Sequence, residues 1–153
     1  MVHFLKTNSG KKGIGMPVVR NPQFYFKEGF CWSDINTTYL KCRIKDKSIN
    51  DVKSMSLYGL ANSNCPEYYM ISMINSTFLS EYVDNFINNT QTFQINDARQ
   101  LPIIIPDKET LYKIKTLFNK AISIKKQYFE GTANERNVDN ALNILQSELD
   151  NII

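Results

Sequence analysis

Two heptad-spaced runs of mostly apolar residues lie on either side of Gly131 in the C-terminal part of the sequence. Residues spaced alternately three and four positions apart form a stripe along one side of an α-helix, and such stripes pack together. The runs consist of Leu111, Ile114, Phe118, Ala121, Lys125 and Tyr128, and of Val138, Leu142, Leu145, Leu149 and Ile152. They predict an antiparallel helical hairpin with Asp107 as its first N-cap. An ordinary amphipathic helix packed on a core is an equal alternative for the first run.

Short stretches typical of β-strands come before the hairpin. Aromatic and β-branched residues alternate with polar ones over residues 16–20, 23–29, 39–44 and 51–60. In the third stretch, basic and apolar side chains occupy opposite faces: Lys41, Arg43 and Lys45 against Leu40, Cys42 and Ile44. This alternation predicts a half-buried strand with a basic outer face. Phe24 and Phe26 share one face of the second stretch, and we expect both in the core.

Helical patterns follow the β-type stretches. Pro66 suits the first turn of a helix over about residues 66–75, and Ser76 or Thr77 can cap a second helix through about residue 88. Residues 92–106 read as a strand, a short turn or helix at 97–100, and a strand ended by Pro106. We therefore expect an α+β fold: a small mixed or antiparallel sheet with flanking helices, followed by the hairpin. The expected division is a flexible segment over 1–16, a domain over 17–106 and the hairpin over 107–153.

The charge of the chain is unevenly distributed. Residues 1–60 hold ten Lys/Arg and four Asp/Glu, a balance of +6, whereas residues 61–153 hold eight and eleven, a balance of −3. The asymmetry indicates that the N-terminal part faces a polyanion such as nucleic acid. A solvated lysine-rich surface is an equal alternative. No apolar run approaches the roughly 20 residues that span a bilayer, and the N-terminus is not typical of a signal peptide. Three cysteines without a CxxC pair are typical of buried thiols in a cytoplasmic protein.

Catalytic motifs are weak in this sequence. The single histidine, His3, has no carboxylate or cysteine at ligand spacing, so we expect neither a catalytic triad nor a metal site. Asn21-Pro22-Gln23-Phe24 is similar to the N-P-P-[YF] element with which amino-methyltransferases hold a flipped adenine. Only twenty residues precede Asn21, too few for the cofactor-binding strand, helix and second strand of such an enzyme. We therefore expect no catalytic residues in this chain.

Two groups of residues are candidates for DNA binding. Cations can contact phosphates, and amides, hydroxyls and arginine can read base edges in the major groove. The first group consists of Lys27, Trp32, Ser33, Lys41, Arg43, Lys45, Lys53 and Ser54, and the second of Gln91, Thr92, Gln94, Asn96 and Arg99. Each group has a structural alternative, since Trp32 is also a natural core residue and a polar turn often caps its own backbone.

Three elements of the sequence carry a family resemblance. They are Trp32-Ser33-Asp34-Ile35, matching W-S-x-I; Ile74-Asn75-Ser76, matching an LNS-like turn; and residues 92–103, matching N-F-x-x-x-D-x-x-x-[IL]-P-[IV] with Thr92 in place of Asn. In this order, over residues 20–130, the chain resembles the C-terminal target-recognition domain of restriction-modification proteins. That family includes type IIG fused methyltransferase-nucleases, BREX-type adenine methyltransferases and, more distantly, type I specificity subunits.

The resemblance implies sequence-specific recognition of double-stranded DNA without catalysis by the chain itself. A methyltransferase or nuclease core, upstream on the same chain or on a separate subunit, would use S-adenosylmethionine, and this chain would hold no cofactor. The long helices would act as a spacer or dock onto partner subunits. The alternative function is a protein–protein docking domain that acts, or self-associates, through the helical hairpin.

Overall fold

The computed structural model describes residues 21–49, 53–60 and 64–153. Its three strands are β1 Gly29–Ser33, β2 Cys42–Lys45 and β3 Ser54–Leu57. β1 is the central strand, and β2 and β3 both pair with it in antiparallel fashion. The helices are α1 Glu67–Ile74, α2 Thr77–Phe86, α3 Ile95–Ala98, α4 Lys108–Phe129 and α5 Glu135–Asp150. The predicted α+β class with a C-terminal helical hairpin is confirmed.

One face of the sheet packs against the helices. Phe30 and Trp32 point to this face, and the pairing register places Cys42 and Met55 on either side of Trp32. Phe30 and Trp32 are almost fully buried and belong to one apolar cluster with the side chains of α1. Cys31, which lies between them and points to the other face, is 5% exposed, so β1 is buried on both sides and its two large rings mark the side that carries the helices.

The two predicted central helices are confirmed, and Ser76 separates them. Its side chain accepts a hydrogen bond from the Leu79 N–H at 3.2 Å, which caps α2. Leu79 and Val83 lie four positions apart on the buried side of α2. Pro66 stands at the N-cap of α1, where its missing N–H leaves no donor unsatisfied.

The C-terminal hairpin combines both predicted forms of packing. Asp107 caps α4 as predicted, accepting from the Thr110 N–H at 2.7 Å. Gly131 follows the helix with a φ of 73°, a left-handed conformation that glycine adopts without strain. Ile114 is buried on the predicted stripe, but Leu117, outside that stripe, is buried as well. α4 therefore packs on α1 as well as on α5.

Side-chain contacts join the hairpin to the centre of the fold. Asp150 accepts hydrogen bonds from the N–H and the hydroxyl of Thr77, at 2.9 and 2.8 Å. The Tyr69 hydroxyl also donates to the carbonyl of Ile104, which fixes the segment before α4. Among the described residues, no helix combines the length and the apolar character that crossing a bilayer would require.

The segment before β1 differs from its prediction. Residues 22–24 form a 3₁₀ helix, and Asn21 and Phe26 adopt left-handed backbone conformations, so no strand runs through 23–28. Phe24 and Phe26 are exposed instead of buried, because this bent segment lies outside the apolar cluster. The predicted strand over 16–20 and the segment 1–16 lie outside the described residues.

Two further strand predictions need correction. Residues 92–106 contain one β-bridge, between Ile35 and Thr92, and the short helix α3 rather than two strands. In β2, the predicted alternation fails at its end: Ile44 is exposed and Lys45 is buried. Three backbone carbonyls bind the Lys45 ammonium, which compensates for its burial.

Candidate nucleic-acid interface

The face of the sheet opposite to the helices, which we call the outer face, brings several predicted site residues together. The register places these side chains on it: Cys31, Ser33, Arg43, Ser54 and Ser56. Lys41 directly precedes β2 and continues its alternation toward the same side. Arg43 and Lys41 are exposed on this face, whereas its three serines are half-buried and Cys31 is buried. The outer face can therefore offer two cations and several hydroxyls to an approaching phosphate.

Lys45 and Lys27 lie at one end of the outer face, and they differ in accessibility. Only 3% of Lys45 is exposed, and its ammonium donates to the carbonyls of Lys27, Asp46 and Ser48 at 2.9, 3.2 and 2.8 Å. The side chain of Lys27 is exposed, with its ammonium 5.5 Å from the centre of the Phe24 ring. The structure therefore corrects the assignment of Lys45: it holds the loop together and does not reach a phosphate.

Trp32 is also inaccessible from the surface. Its ring is 3% exposed, and its Nε1–H donates to the Phe93 carbonyl at 3.2 Å. A buried indole with a satisfied N–H stabilises a core and has no free face on which a base could stack. Of the two alternatives for Trp32, the structure favours the core residue.

Lys53 and Asp34 form an ion pair next to β1. The Lys53 ammonium lies 3.1 Å from Asp34 Oδ2, with the lysine exposed and the aspartate buried. A phosphate at this position would compete with a carboxylate for the same cation. The other Asp34 oxygen, Oδ1, and Asn36 Oδ1 are buried acceptors without a hydrogen-bond partner in the described part of the chain.

The second group of site residues is joined to the first through the continuation of β1. The backbone carbonyl of Asp34 accepts from the Phe93 N–H at 2.8 Å, and the backbone N–H of Asn36 donates to the Gln91 carbonyl at 2.7 Å. Segment 91–93 thus lies beside residues 34–36, directly after Ser33 on the outer face. Groups distant in the sequence therefore meet at one end of the sheet.

Several polar side chains of this second group contact each other. Gln94 and Asp97 form a capping box at α3, and Arg99 donates to Asn96 Oδ1 at 3.3 Å. The Thr92 hydroxyl lies 3.0 Å from that of Thr90. These contacts support the structural alternative for Gln94, whereas Gln91 and Arg99 project from the surface. Arg99 could exchange its exposed contact with Asn96 for one with DNA.

The region between these segments and α2 is acidic. A cavity of about 360 Å³ has Thr37, Asn89, Glu81 and Asp84 among its lining residues. The two carboxylates would repel a phosphate, so this cavity does not suit a polyanion.

The structure also reveals candidate residues that the sequence prediction missed. Phe26 is 61% exposed, and Lys47 is exposed nearby, within 3.5 Å of the Glu28 carboxylate. The turn-forming Asn21-Pro22 was the available signal against a strand there. Nothing in the alternation of the aromatic residues indicated that Phe26 would point outward.

Burial raises the pKa of three groups in or beside the core. Burial, with a smaller contribution from nearby Cys31, raises the pKa of the Cys42 thiol to about 12. Burial also raises the pKa of Cys65 and of the Tyr69 hydroxyl. Within the described ranges, no three His, Cys, Asp or Glu side chains are placed to hold a metal ion.

These features define the class of the protein: an α+β domain with one sheet face against helices and the other polar and cation-bearing. No protein-family model matches the sequence. Over 109 residues, 71% of the chain, it is 28% identical to the adenine-specific methyltransferase BrxX of Escherichia coli O9:H4 (strain HS). The aligned part is 8% of that protein, so the chain spans less than a tenth of its relative. The chain is thus similar to a small part of an adenine-specific methyltransferase.

Proposed function

We propose that the chain is a non-catalytic module that recognises a double-stranded DNA site for a restriction-modification or phage-exclusion adenine methyltransferase. The observation that carries the proposal is the similarity to an adenine-specific methyltransferase over only 8% of that enzyme's length. A stretch of this size is too short for a cofactor-binding sheet and a catalytic centre. It is large enough for a domain that contacts the substrate.

The outer face would provide the phosphate contacts. Lys41 and Arg43 are exposed on the same side of β2, an edge strand, where a DNA backbone could reach both cations. Base contacts would come from Gln91 and Arg99, beyond the end of β1. An amide can bind adenine with two hydrogen bonds, and arginine can bind guanine in the same way.

The associated core would perform the chemistry. An adenine inside a duplex is inaccessible to a methyltransferase, so the core would flip the base and use S-adenosylmethionine as the methyl donor. The residues of this chain would hold the duplex in register. The core would lie elsewhere on the same polypeptide or on a separate subunit.

Salt-dependent binding of duplex DNA tests the proposal. Anisotropy of a labelled duplex of roughly 20 base pairs should show tight binding at low salt and a steep loss between about 50 and 200 mM salt. Replacing Lys41 and Arg43 with glutamate should abolish binding, because two phosphate contacts become repulsive.

The matched control reverses the charge of two exposed lysines of α4, Lys108 and Lys120. K108E/K120E changes the net charge as much as K41E/R43E but leaves the outer face intact. The proposal requires that the control keep most of the affinity. An equal loss of affinity in both double variants would mean that binding depends on net charge alone. If the unaltered chain binds no duplex at low salt, the proposed DNA function is wrong.

A second candidate function, docking of a partner protein, has its own supporting observation. A groove of about 800 Å³ separates the edge of β2 from the hairpin, and Ile44, Phe118 and Leu145 help to line it. Its apolar character suits a protein segment better than DNA. Retention of a methyltransferase subunit by the chain, together with no affinity for duplexes, would favour this function.

A further inference from the structure

Phe26 combines an unfavourable backbone conformation with an exposed aromatic ring. Its φ is 58°, in the left-handed region that a bulky residue rarely occupies, and its side chain is 61% exposed. The ring meets that of the neighbouring Tyr25 edge to face, with 6.5 Å between ring centres, but neither backbone preference nor burial accounts for phenylalanine at this position. Unfavourable backbone conformations concentrate at binding sites, where the surrounding structure enforces them.

The surrounding structure holds Phe26 in this conformation through two linked contacts. The Phe26 N–H donates to the Ser48 carbonyl at 3.2 Å. The buried Lys45 ammonium binds that same carbonyl at 2.8 Å and the Lys27 carbonyl at 2.9 Å. The residues on both sides of the turn are therefore held by one cation, and the Phe26 ring is displayed on an ordered turn.

Charged side chains and an aromatic pair surround this turn. Phe24 stacks on Tyr58 with 5.3 Å between ring centres, and the Lys27 ammonium lies over Phe24. Lys47 is exposed on the adjacent segment, and its ammonium lies 3.5 Å from the Glu28 carboxylate, in an exposed ion pair that it can exchange for a phosphate contact. Since Lys45 and Gly29 are register partners, this cluster lies at the end of the sheet where β2 ends, and Arg43 is two residues before Lys45 on the same face of that strand. The exposed turn at Phe26 thus lies at this end of the sheet, close to two exposed lysines and one exposed carboxylate, that of Glu28.

We propose that Phe26 inserts between bases of the bound duplex, with Lys27 and Lys47 on the flanking phosphates. The inference rests on the DNA-binding function proposed above and adds a contact with the base stack. An apolar ring gains little from a solvated phosphate backbone, but it can replace stacking where a base step opens. Its neighbouring cations would offset part of the cost of opening that step.

The affinity for mismatched DNA tests the insertion. Opening a base step is easier at a mismatch, so the unaltered chain should bind a roughly 20-base-pair duplex more tightly when it carries a central mismatch. Phe26→Ala should bind the mismatched duplex roughly five- to a hundredfold more weakly, as for the loss of one stacked base. Its preference for the mismatch over the paired duplex should disappear.

Two further variants separate insertion from folding. Phe26→Gly should fold at least as stably, because glycine suits a φ of 58°, and yet should lose the mismatch preference. Phe86→Ala removes a ring that is even more exposed, at 76%, from acidic helix α2 and should bind both duplexes like the unaltered chain.

Three outcomes would overturn the inference. If the unaltered chain binds duplexes with salt dependence and Phe26→Ala matches it on both, insertion is wrong and the DNA function stands. If the unaltered chain binds no duplex at low salt, both proposals fall. If Phe26 is instead required for binding vesicles of anionic phospholipid while duplex binding is unaffected by its loss, the ring serves a membrane surface.

Discussion

The side-chain amide of Asn75 forms hydrogen bonds with both backbone groups of Cys42. Its Nδ2 donates to the Cys42 carbonyl and its Oδ1 accepts from the Cys42 N–H, both at 2.8 Å. Cys42 lies on an edge strand, whose outward backbone groups would otherwise lack a strand partner. The amide of Asn75 therefore substitutes for a neighbouring strand and ties the α1–α2 turn to the sheet.

Residues of the three sequence motifs described above make contacts of this kind, which hold the fold together. Asn75 and Ser76 connect the turn to β2 and cap α2, while Trp32 and Phe93 join the other two motif elements through a hydrogen bond. All three elements that carry the family resemblance thus stabilise the fold. The exposed candidates for DNA contact Lys41, Arg43 and Gln91 lie outside these three elements, whereas Arg99 lies within the third.

Replacing Asn75 should destabilise the protein without touching the outer face. Asn75→Ala leaves both backbone groups of Cys42 without this partner, and we expect the free energy of unfolding to fall by about 1–3 kcal/mol. Urea denaturation measures the change. Asn143→Ala, on the exposed side of α5, should stay within about 0.5 kcal/mol of the unaltered chain, and an equal effect in both variants would contradict the role of Asn75.

Substitutions of Lys45 and Lys41 should have different effects: the first should lower stability, and the second should weaken DNA binding. Lys45→Met deprives three carbonyls of a charged donor, so we expect the free energy of unfolding to fall by about 2–3 kcal/mol. Lys41→Met should change it by less than about 0.5 kcal/mol but lower the slope of log affinity against log salt by about 1. An unchanged slope for Lys41→Met, or a lowered slope for Lys45→Met, would reverse the assignment of the phosphate contact.

The fluorescence of Trp32, the single tryptophan, should report on the core and remain unaffected by DNA. Because the ring is buried and its N–H is bonded to Phe93, saturating duplex should neither quench nor shift its emission. Emission should move to longer wavelength only on unfolding. Phe26→Trp adds an exposed indole as a positive control, and its emission should be quenched by duplex. Quenching of Trp32 itself would show that it contacts DNA.

Alkaline pH should destabilise the protein through Cys42. Its pKa is about 12 in the folded chain and near 9.0 when unfolded, so the folded state retains a proton that the unfolded state has lost. Stability is therefore complete below about pH 9 and declines between pH 9 and 12. Urea denaturation at pH 8 and pH 10 measures the decline, which should be smaller in Cys42→Ala. The same decline in both proteins would attribute it to other groups.

Much of the secondary structure was predictable from local chemistry. The Asp107 and Ser76 caps, the break at Gly131 and the apolar spacing of α4 and α5 each depend on residues a few positions apart. The segment 23–29 was mispredicted because alternation of aromatic residues also occurs in an exposed turn. Tertiary contacts of Ser48 and Lys45 determine its left-handed backbone.

The candidate site was only partly predictable for a related reason. Sequence chemistry indicated which side chains can bind phosphates or bases, and Lys41, Arg43, Gln91 and Arg99 are indeed exposed. Accessibility, however, depends on what packs above each side chain. Trp32 and Lys45 satisfy their polar groups inside the fold, and Phe26 is held outside it.

The sequence by itself therefore determined the helices, their caps and the chemical character of the polar segments, since these depend on spacing along the chain. Tertiary structure alone decided which face of the sheet is covered and that segment 91–93 continues beside β1. It also decided that Asn75 completes the edge of β2. The physical reason is that burial and hydrogen-bond partners arise from residues distant in the chain, such as Trp32 and Phe93, which no local pattern brings together.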